Sequence, residues 1–222
     1  GIMDQYASVL GRKNHTILLD CMTNTHEYLH ADFDKYQLLL LDSCVKHSHL
    51  TSGYNTRREE IAEGFAIIQN NFPEIKNFRM CKKEHLMVIK DQMAPLVYNR
   101  CLFVVVEILR VEKAVQAIEN GNTVLLGTLL YEAHDGLSKL YDVSCEELDF
   151  LVEQTRDNDF VLGARMMGGG FGGCTLNLIK KKKVDSFIKN ITEKYRKQYN
   201  IELKAYPIKI SDGVHKIVES YN

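Results

Sequence analysis

The chain has 222 residues, with 28 basic and 29 acidic side chains and a formal net charge of −1 at pH 7. This balance argues against nucleic acid as the main partner, because nucleic-acid-binding domains carry a basic surface. No apolar run approaches the ~18 residues of a membrane span, and no signal peptide is visible. With 45% hydrophobic and 26% charged residues, the composition is that of an ordinary soluble globular protein.

Six cysteines are scattered along the chain without a C-x-x-C pair: Cys21, Cys44, Cys81, Cys101, Cys145 and Cys174. Most lie inside apolar patterns, so we expect buried thiols in a reducing compartment, the cytoplasm, rather than disulfides or a zinc site. An H-x-H pair at His47 and His49 could bind a metal ion, but no third ligand lies nearby in the sequence. A polar loop is the better interpretation, and we predict no metal site.

The first part of the chain predicts one helix and two strands. Residues 1–10 form a short helical pattern that Gly11 closes, and Asp4 near its start suits the positive end of the helix dipole. Residues 15–21 (HTILLDC) and 36–44 (YQLLLLDSC) predict strands. The second strand is almost continuously apolar, which is typical of a buried central strand. The abrupt start without an initial methionine suggests a processed chain or a piece of a longer one.

Helices dominate the middle of the chain. The first follows residue 51, with Ile61, Phe65 and Ile68 on its inner face, and Pro73 marks its end. Further helical patterns cover residues 83–92, 95–120, 124–140 and 144–156.

Two local signals refine this helical region. The Arg57–Arg58 pair stands near a helix start, where positive charge opposes the dipole. We therefore expect acidic partners, either Glu59–Glu60 or a ligand, and structural partners are favoured. Ser144 and Glu147 fit the S-x-x-E capping box, which predicts that a helix begins there.

The most unusual stretch runs from Ala164 to Leu178. It holds Gly168, Gly169, Gly170, Phe171, Gly172 and Gly173 in succession. Glycine loses much conformational entropy on folding, and the usual reason for a cluster is that backbone N–H groups must approach an anion such as phosphate. The G-x-G-x-x-G spacing would suit a dinucleotide fold only if a helix opened directly after it. Residues 174–179 (CTLNLI) predict a strand instead. We interpret the stretch as strand, glycine loop and strand, with a plain wide hairpin as the alternative.

The last part of the chain adds one helix and one strand. Residues 184–199 predict an amphipathic helix and residues 203–210 a closing strand, while Lys180–Lys183 is a solvated strand end. Helices that flank a few antiparallel strands place the chain in the α+β class.

Three stretches, in this order and at this spacing, resemble a known family. They are Gly1-Ile2-Met3-Asp4-Gln5, Tyr54-Asn55-Thr56-Arg57-Arg58-x-Glu60, and residues 163–174 (GARMMGGGFGGC). The chain is similar to the C-terminal part of galactokinases, in the GHMP small-molecule kinase superfamily, and residues 134–149 (HDGLSKLYDVSCEELD) match that family as well. The likeness implies a ferredoxin-like GHMP kinase C-terminal domain over residues 36–222, an antiparallel sheet flanked by helices. Residues 1–35 would be a remnant of the N-terminal kinase domain.

The resemblance implies transfer of the γ-phosphoryl group of ATP to the 1-hydroxyl of galactose. Asp4 would then be the base that accepts the hydroxyl proton, and Gly1 and Tyr54 would contact the sugar. The loop Gly168–Gly173 would line the site near the transferring phosphate, with N–H groups directed at the developing negative charge. ATP and Mg²⁺ are the implied cofactors.

The chain also departs from the family pattern. Met167 stands where Thr is usual, Phe103 where His is common, and Ala133 where the pattern has Ser. The family's sugar-binding motif (G-R-x-N-x-x-G-E-H-x-D) and its G-L-S-S-S phosphate loop, whose serine helps to hold Mg²⁺, are absent from this sequence. We therefore expect the main ATP and Mg²⁺ residues in a missing N-terminal part of the same enzyme, and no kinase activity from this chain alone.

Three alternatives stay open. A kinase of a related sugar, such as N-acetylgalactosamine or arabinose, shares these motifs, and a substrate panel on the full-length protein would distinguish it. A non-catalytic, galactose-sensing regulator of the same fold is the second alternative, and the intact Asp4 weighs against it. A binding module unrelated to sugars is the most remote.

Overall fold

The structure is a computed structural model that describes residues 2–31, 33–46 and 50–215. Gly1, His47 and His49 lie outside the described residues, so the sugar contact predicted for Gly1 and the loop predicted for the two histidines stay predictions.

Within the described ranges the chain forms seven α-helices and six β-strands. The helices are α1 (Ile2–Leu10), α2 (Leu50–Asn71), α3 (Lys83–Val88), α4 (Pro95–Glu119), α5 (Thr123–Gly136), α6 (Glu146–Arg156) and α7 (Val184–Tyr199). The strands are β1 (His15–Asp20), β2 (Thr25–His30), β3 (Tyr36–Lys46), β4 (Val161–Met166), β5 (Gly172–Lys180) and β6 (Lys204–Ile208). A π-helical turn follows α5 over Leu137–Tyr141.

The larger sheet has the strand order β4-β5-β3-β6, and all neighbouring strands are antiparallel. Counted from β3, the chain runs β-α-β-β-α-β, with several helices in the first crossover. This is the ferredoxin-like arrangement, so the predicted α+β fold class is confirmed. The prediction that β3 is a central strand is also correct, because it pairs with β5 on one side and β6 on the other.

One core lies between this sheet and two helices. Leu39 and Leu41 alternate along β3 onto one face and pack with Leu151 of α6 and with Phe187 and Ile191 of α7. All five side chains are buried. Burial of apolar area on this scale is the main stabilising contribution to the fold.

Glycines bring α5 and β4 into direct backbone contact. A Cβ on Gly127 would lie 2.2 Å from the carbonyl oxygen of Leu162, and one on Gly163 would lie 2.1 Å from the carbonyl oxygen of Gly127. Any larger side chain would push the helix off the strand. This approach fixes the strand that leads into the glycine-rich stretch.

The smaller sheet is the hairpin β1–β2, on which α1 rests. Tyr6 donates its hydroxyl to the carbonyl oxygen of Asn24 (2.9 Å), and Tyr28 donates to that of Leu10 (2.7 Å). Strand β2 was not predicted, because THEYLH contains one aliphatic residue and shows no apolar alternation. Its Leu29 is the one position on β2 that is buried.

Three sequence predictions need correction. The capping box at Ser144 is wrong, because α6 begins after Cys145, whose side chain makes no capping hydrogen bond. Three acids in its first turn satisfy the helix dipole instead. All six cysteines are free as expected, but burial holds only for Cys81 and Cys101, because Cys145 and Cys174 are half-buried and Cys21 and Cys44 are exposed. Helix α5 is shorter than predicted, since residues 137–141 adopt the π-helical turn.

Candidate functional site

The glycine-rich stretch connects β4 to β5, and we call residues 167–173, the last two of which begin β5, the glycine turn. The backbone N–H of Met167 donates to the carbonyl oxygen of Cys174 at 2.9 Å and closes it. Four of its glycines have positive φ: Gly168 (80°), Gly170 (92°), Gly172 (126°) and Gly173 (87°). Side chains rarely adopt such angles, so the number of glycines reflects the backbone path itself. The prediction of strand, glycine loop and strand is confirmed, and because β4 and β5 pair antiparallel across the loop, the alternative of a wide hairpin describes the same backbone.

The glycine turn has an open outer face. A Cβ added to Gly168, Gly169 or Gly173 would meet nothing within 4 Å. The N–H groups of Gly168, Gly169 and Gly170 donate to no backbone acceptor in the ranges that the structure describes. Successive free N–H groups of this kind make a concave donor surface that suits an anion.

The inner face of the glycine turn is closed by Val143. Phe171 donates its backbone N–H to the carbonyl oxygen of Val143 at 2.5 Å. A Cβ on Gly170 would lie 2.1 Å from the same oxygen. The turn therefore needs glycine at 170 because of its packing as well as its φ.

The ring of Phe171 brings the start of α2 to the glycine turn. It lies against Gly53, where an added Cβ would be 2.9 Å from the ring. Tyr54 is the next residue of α2, and it is 56% exposed. Burial raises the pKa of Tyr141, and the neighbouring Tyr54 raises it further. The structure thus places the predicted sugar-contacting residue beside the turn.

Two arginines and two carboxylates form a network behind the turn. Arg100, whose side chain is 4% exposed, donates to Glu60 (Nε–Oε2, 3.0 Å) and to Asp142 (Nη2–Oδ2, 3.0 Å). Arg57 donates to the same two residues, at 3.0 and 2.8 Å. Charge-assisted bonds of this kind are geometrically specific. The prediction that Arg57 has structural acidic partners is correct.

The network is connected to the glycine turn through Asp142. Arg100 also donates to the carbonyl oxygen of Leu140. Asp142 is in the left-handed region at φ 56°, which is uncommon for a residue other than glycine. Both arginines hold it there, and the next residue is Val143, whose carbonyl oxygen fixes the turn. Arg100 was not predicted, although an arginine between the apolar residues Val97 and Cys101 could have indicated an internal charge.

A buried histidine supports the last residue of β4. The backbone N–H of Met166 donates to Nδ1 of His134 at 3.2 Å, so the imidazole proton is on Nε2, which faces Oδ1 of Asp149 at 3.2 Å. Ser138 donates its hydroxyl to Oδ2 of the same aspartate at 2.8 Å. Burial would raise the pKa of Asp149, but the close contact with His134 and the hydrogen bond from Ser138 hold it below its ordinary value.

Asp4 lies in the first turn of α1, with its side chain exposed. Helix α1 contacts the β1–β2 hairpin and residues 213–214, whose N–H groups donate to Gly11 and Ser8. Among the described residues, no hydrogen bond, ion pair or ring contact links α1 to the glycine turn. The apposition of Asp4 and the turn therefore stays a prediction.

The structure shows the surroundings of two residues that depart from the family pattern. Met167 is 40% exposed at the mouth of the glycine turn. Phe103 is buried and stacks on Tyr141 with ring centroids 4.7 Å apart. An aromatic ring at position 103 therefore extends the core under the turn.

Neither a metal cluster nor a membrane helix is found in the part of the chain that the structure describes. That part contains no group of three or more histidine, cysteine, aspartate or glutamate side chains arranged to hold a metal ion. None of its helices is both long and apolar enough to cross a membrane.

Comparisons with known proteins agree with this architecture. Residues 114–197 match the family described as GHMP kinases C terminal. The galactokinase of Thermotoga maritima is 42% identical over 217 residues, which cover 98% of this chain and 59% of that protein. The galactokinase of Clostridium beijerinckii is 36% identical over 221 residues, which cover 98% of this chain and 56% of that protein.

Solved structures give the same picture. Lactococcus lactis galactokinase, complexed with galactose, superposes with a TM-score of 0.91 at 29% identity, covering 98% of this chain and 56% of that one. The mevalonate kinase of L. major, in complex with R-mevalonate, matches with a TM-score of 0.52 at 18% identity. The match covers 90% of this chain and 50% of that one and shows a shared fold alone.

The fold and residues 114–197 are similar to the C-terminal domain of the GHMP kinase family. Within that family the chain is similar to the C-terminal part of galactokinases over nearly its whole length. The chain spans about three fifths of the length of the curated relatives that it matches, 59% for the T. maritima protein.

Proposed function

We propose that the protein containing this chain is a galactokinase, which transfers the γ-phosphoryl group of ATP to the 1-hydroxyl of galactose. The observation that carries the proposal is the close superposition, over 98% of the chain, on a galactokinase complexed with galactose. Residues 1–35 would extend an N-terminal kinase domain, and residues 36–222 would form the C-terminal domain. Six free thiols suit work in the cytoplasm.

In this proposal Asp4 is the general base. A sugar hydroxyl is a weak nucleophile at neutral pH, and a carboxylate that accepts its proton strengthens it in the transition state. Gly1 and Tyr54 would contact the sugar, Tyr54 through its hydroxyl. The exposure of Tyr54 beside the glycine turn supports this role.

The glycine turn would form the wall next to the transferring phosphate. Its open face and free N–H groups at Gly168, Gly169 and Gly170 fit a phosphate oxygen. ATP supplies the phosphoryl group, and positioning with electrostatic stabilisation accounts for most of the catalysis of its transfer. Because Val143 and Phe171 fix the turn from behind, its donors are oriented before the substrate arrives.

Magnesium does not fit the residues at hand. The described part of the chain offers no cluster of three or more carboxylate, imidazole or thiol ligands, so we derive no step through the metal ion. We propose that the Mg²⁺ ligands and most of the ATP contacts lie in the rest of the protein, and that this chain alone has no kinase activity.

The test is the Asp4→Asn variant of the full-length protein that contains the chain. We expect kcat for galactose to fall by about 10²–10⁴-fold, the usual contribution of a general base, with little change in KM. The matched control is Asp185→Asn, another acid in the first turn of a helix, which should leave kcat unchanged. A kcat that survives the Asp4 substitution would overturn the assignment.

A substrate panel tests the sugar. Galactose, N-acetylgalactosamine and arabinose should be compared by kcat/KM on the same full-length protein, and galactose should be preferred. Preference for another sugar would assign the protein to a related kinase. Galactose binding without ATP turnover would indicate a sensing regulator. Galactose-dependent ATP turnover by the 222 residues alone would refute the proposal that this chain has no kinase activity by itself.

A further inference from the structure

The face of the β1–β2 hairpin that carries Tyr28 also carries two histidines directly opposite each other. His15 and His30 are cross-strand partners in the antiparallel register. Their ring centroids are 5.4 Å apart and the rings are inclined by 75°. We propose that these two imidazoles form a binding site for a divalent transition metal ion such as Ni²⁺, Cu²⁺ or Zn²⁺. The proposal is independent of the kinase function.

A hydrogen bond fixes the tautomer of His15 in the form that binds metal. Its Nδ1 lies 2.8 Å from the carbonyl oxygen of Lys13. A carbonyl oxygen can only accept, so Nδ1 carries the proton and the lone pair of Nε2 is available. Histidines bound to metals typically donate their other N–H to a carbonyl or carboxylate in the same manner, which fixes the ring orientation.

The separation of the rings matches chelation by both. A metal–nitrogen distance of about 2.0–2.1 Å, a ring radius of about 1.1 Å and a tetrahedral angle place two ligating imidazole centroids about 5 Å apart. The observed separation is 5.4 Å. The separation of the two rings is therefore already close to that of a chelate.

The surroundings leave room for an open, partly hydrated site. His30 is exposed and His15 is half-buried, so solvent reaches the pair and water can complete the coordination. The neighbouring cation, Arg12, lies over the ring of Tyr28 at 5.5 Å. An ion held here would tie β1 to β2 beneath α1, which Tyr28 anchors through the carbonyl oxygen of Leu10.

Nickel(II) is the probe, because it binds imidazole nitrogen well. The free cysteines of the chain compete less for it, since thiolates prefer softer ions. The chain is used without a polyhistidine tag and with His47 and His49 both changed to Gln, since that H-x-H pair could bind the same ion. Calorimetric titration measures the Kd, and NMR follows the ring signals of the remaining histidines. We expect His15 and His30 to broaden first as the paramagnetic ion is added.

The single variants His15→Gln and His30→Gln should each weaken Ni²⁺ binding by more than about tenfold, because either one converts a chelate into a lone imidazole. The Kd of the double variant for Ni²⁺ should exceed that of either single variant by no more than about twofold. This non-additivity is expected when both residues bind one ion. Circular dichroism checks that each variant is folded. His30 is exposed, so its variant tests the site even if His15→Gln unfolds.

The matched control is His215→Gln. His215 has the same local geometry, with Nδ1 3.0 Å from the carbonyl oxygen of the residue two before it, but no cross-strand histidine partner among the described strands. Its substitution should leave the Kd unchanged. Small, additive losses at His15 and His30, or losses no greater than that at His215, would mean independent imidazoles and would overturn the proposal.

Discussion

The glycine turn is fixed by buried neighbours, whereas α1, which carries Asp4, buries none of its residues. Val143 and the Arg57–Glu60–Arg100–Asp142 network hold the turn from behind. Helix α1 is attached by two tyrosine hydroxyls and by the backbone of residues 213–214. The contacts within this chain therefore fix the glycine turn, one wall of the proposed site. They do not fix the position of Asp4, the proposed base, because α1 is exposed.

The largest expected effect comes from breaking the network behind the turn. Glu60→Gln keeps the shape but leaves two guanidinium groups with the exposed carboxylate of Asp142 as their remaining anion. We expect unfolding to become easier by about 3 kcal/mol, because a buried charge loses its partner. Urea denaturation measures this loss, and hydrogen exchange at the N–H of Phe171 should become faster.

An exposed ion pair provides the control for that variant. Asp20 and Arg79 form a pair at 2.6 Å, with Arg79 49% exposed, and exposed pairs contribute little to stability. Asp20→Asn should therefore change the unfolding free energy much less than Glu60→Gln. Equal losses in the two variants would contradict the view that burial gives the network its importance.

The next effect separates the two faces of the turn. Gly170→Ala places a Cβ 2.1 Å from the carbonyl oxygen of Val143 at a positive φ, and we expect a loss of at least about 2 kcal/mol from strain and displacement. Gly169→Ala meets nothing within 4 Å and should cost less than about 0.5 kcal/mol, as at most surface sites. Thermal unfolding of the two variants measures both losses of stability. If they are equally stable, the turn is not held from its inner face.

The smallest effect concerns the His134–Asp149 contact under β4. The pKa of Asp149 is lower in the folded protein than its ordinary value, so its contribution to stability is present above about pH 4 and is lost as the pH falls through the folded-state pKa. Wild type should therefore lose more stability than Asp149→Asn on acidification below about pH 4. Parallel pH profiles of the two proteins would exclude this contribution.

Much of the scaffold could be predicted from local patterns. The apolar run of β3 and the amphipathic periodicity of α7 both give signals within a few residues of chain. Strand β2 could not be found this way, because its pairing with β1 depends on a turn and on contact with α4, which is distant in the sequence.

The site was only partly predictable for the same reason. The run of glycines indicated an unusual backbone, and the family resemblance implied roles for Asp4 and Tyr54. Arg100, Asp142 and His134 act through partners that are distant along the chain. His134 contacts Asp149, 15 residues later, and Arg100 pairs with Glu60, 40 residues earlier. Such pairings are created by tertiary packing, and no local spacing indicates them.

The central claim is that Asp4 and the glycine turn belong to one site, with Asp4 at the attacking hydroxyl and the turn at the transferring phosphate. A crystal structure of the full-length protein with galactose and a non-hydrolysable ATP analogue tests it most directly. We expect the Asp4 carboxylate about 2.6–3.2 Å from the 1-hydroxyl of galactose, and N–H groups of residues 168–170 within hydrogen-bonding distance of the terminal phosphate. Galactose bound away from Asp4, or a terminal phosphate remote from the turn, would contradict the account.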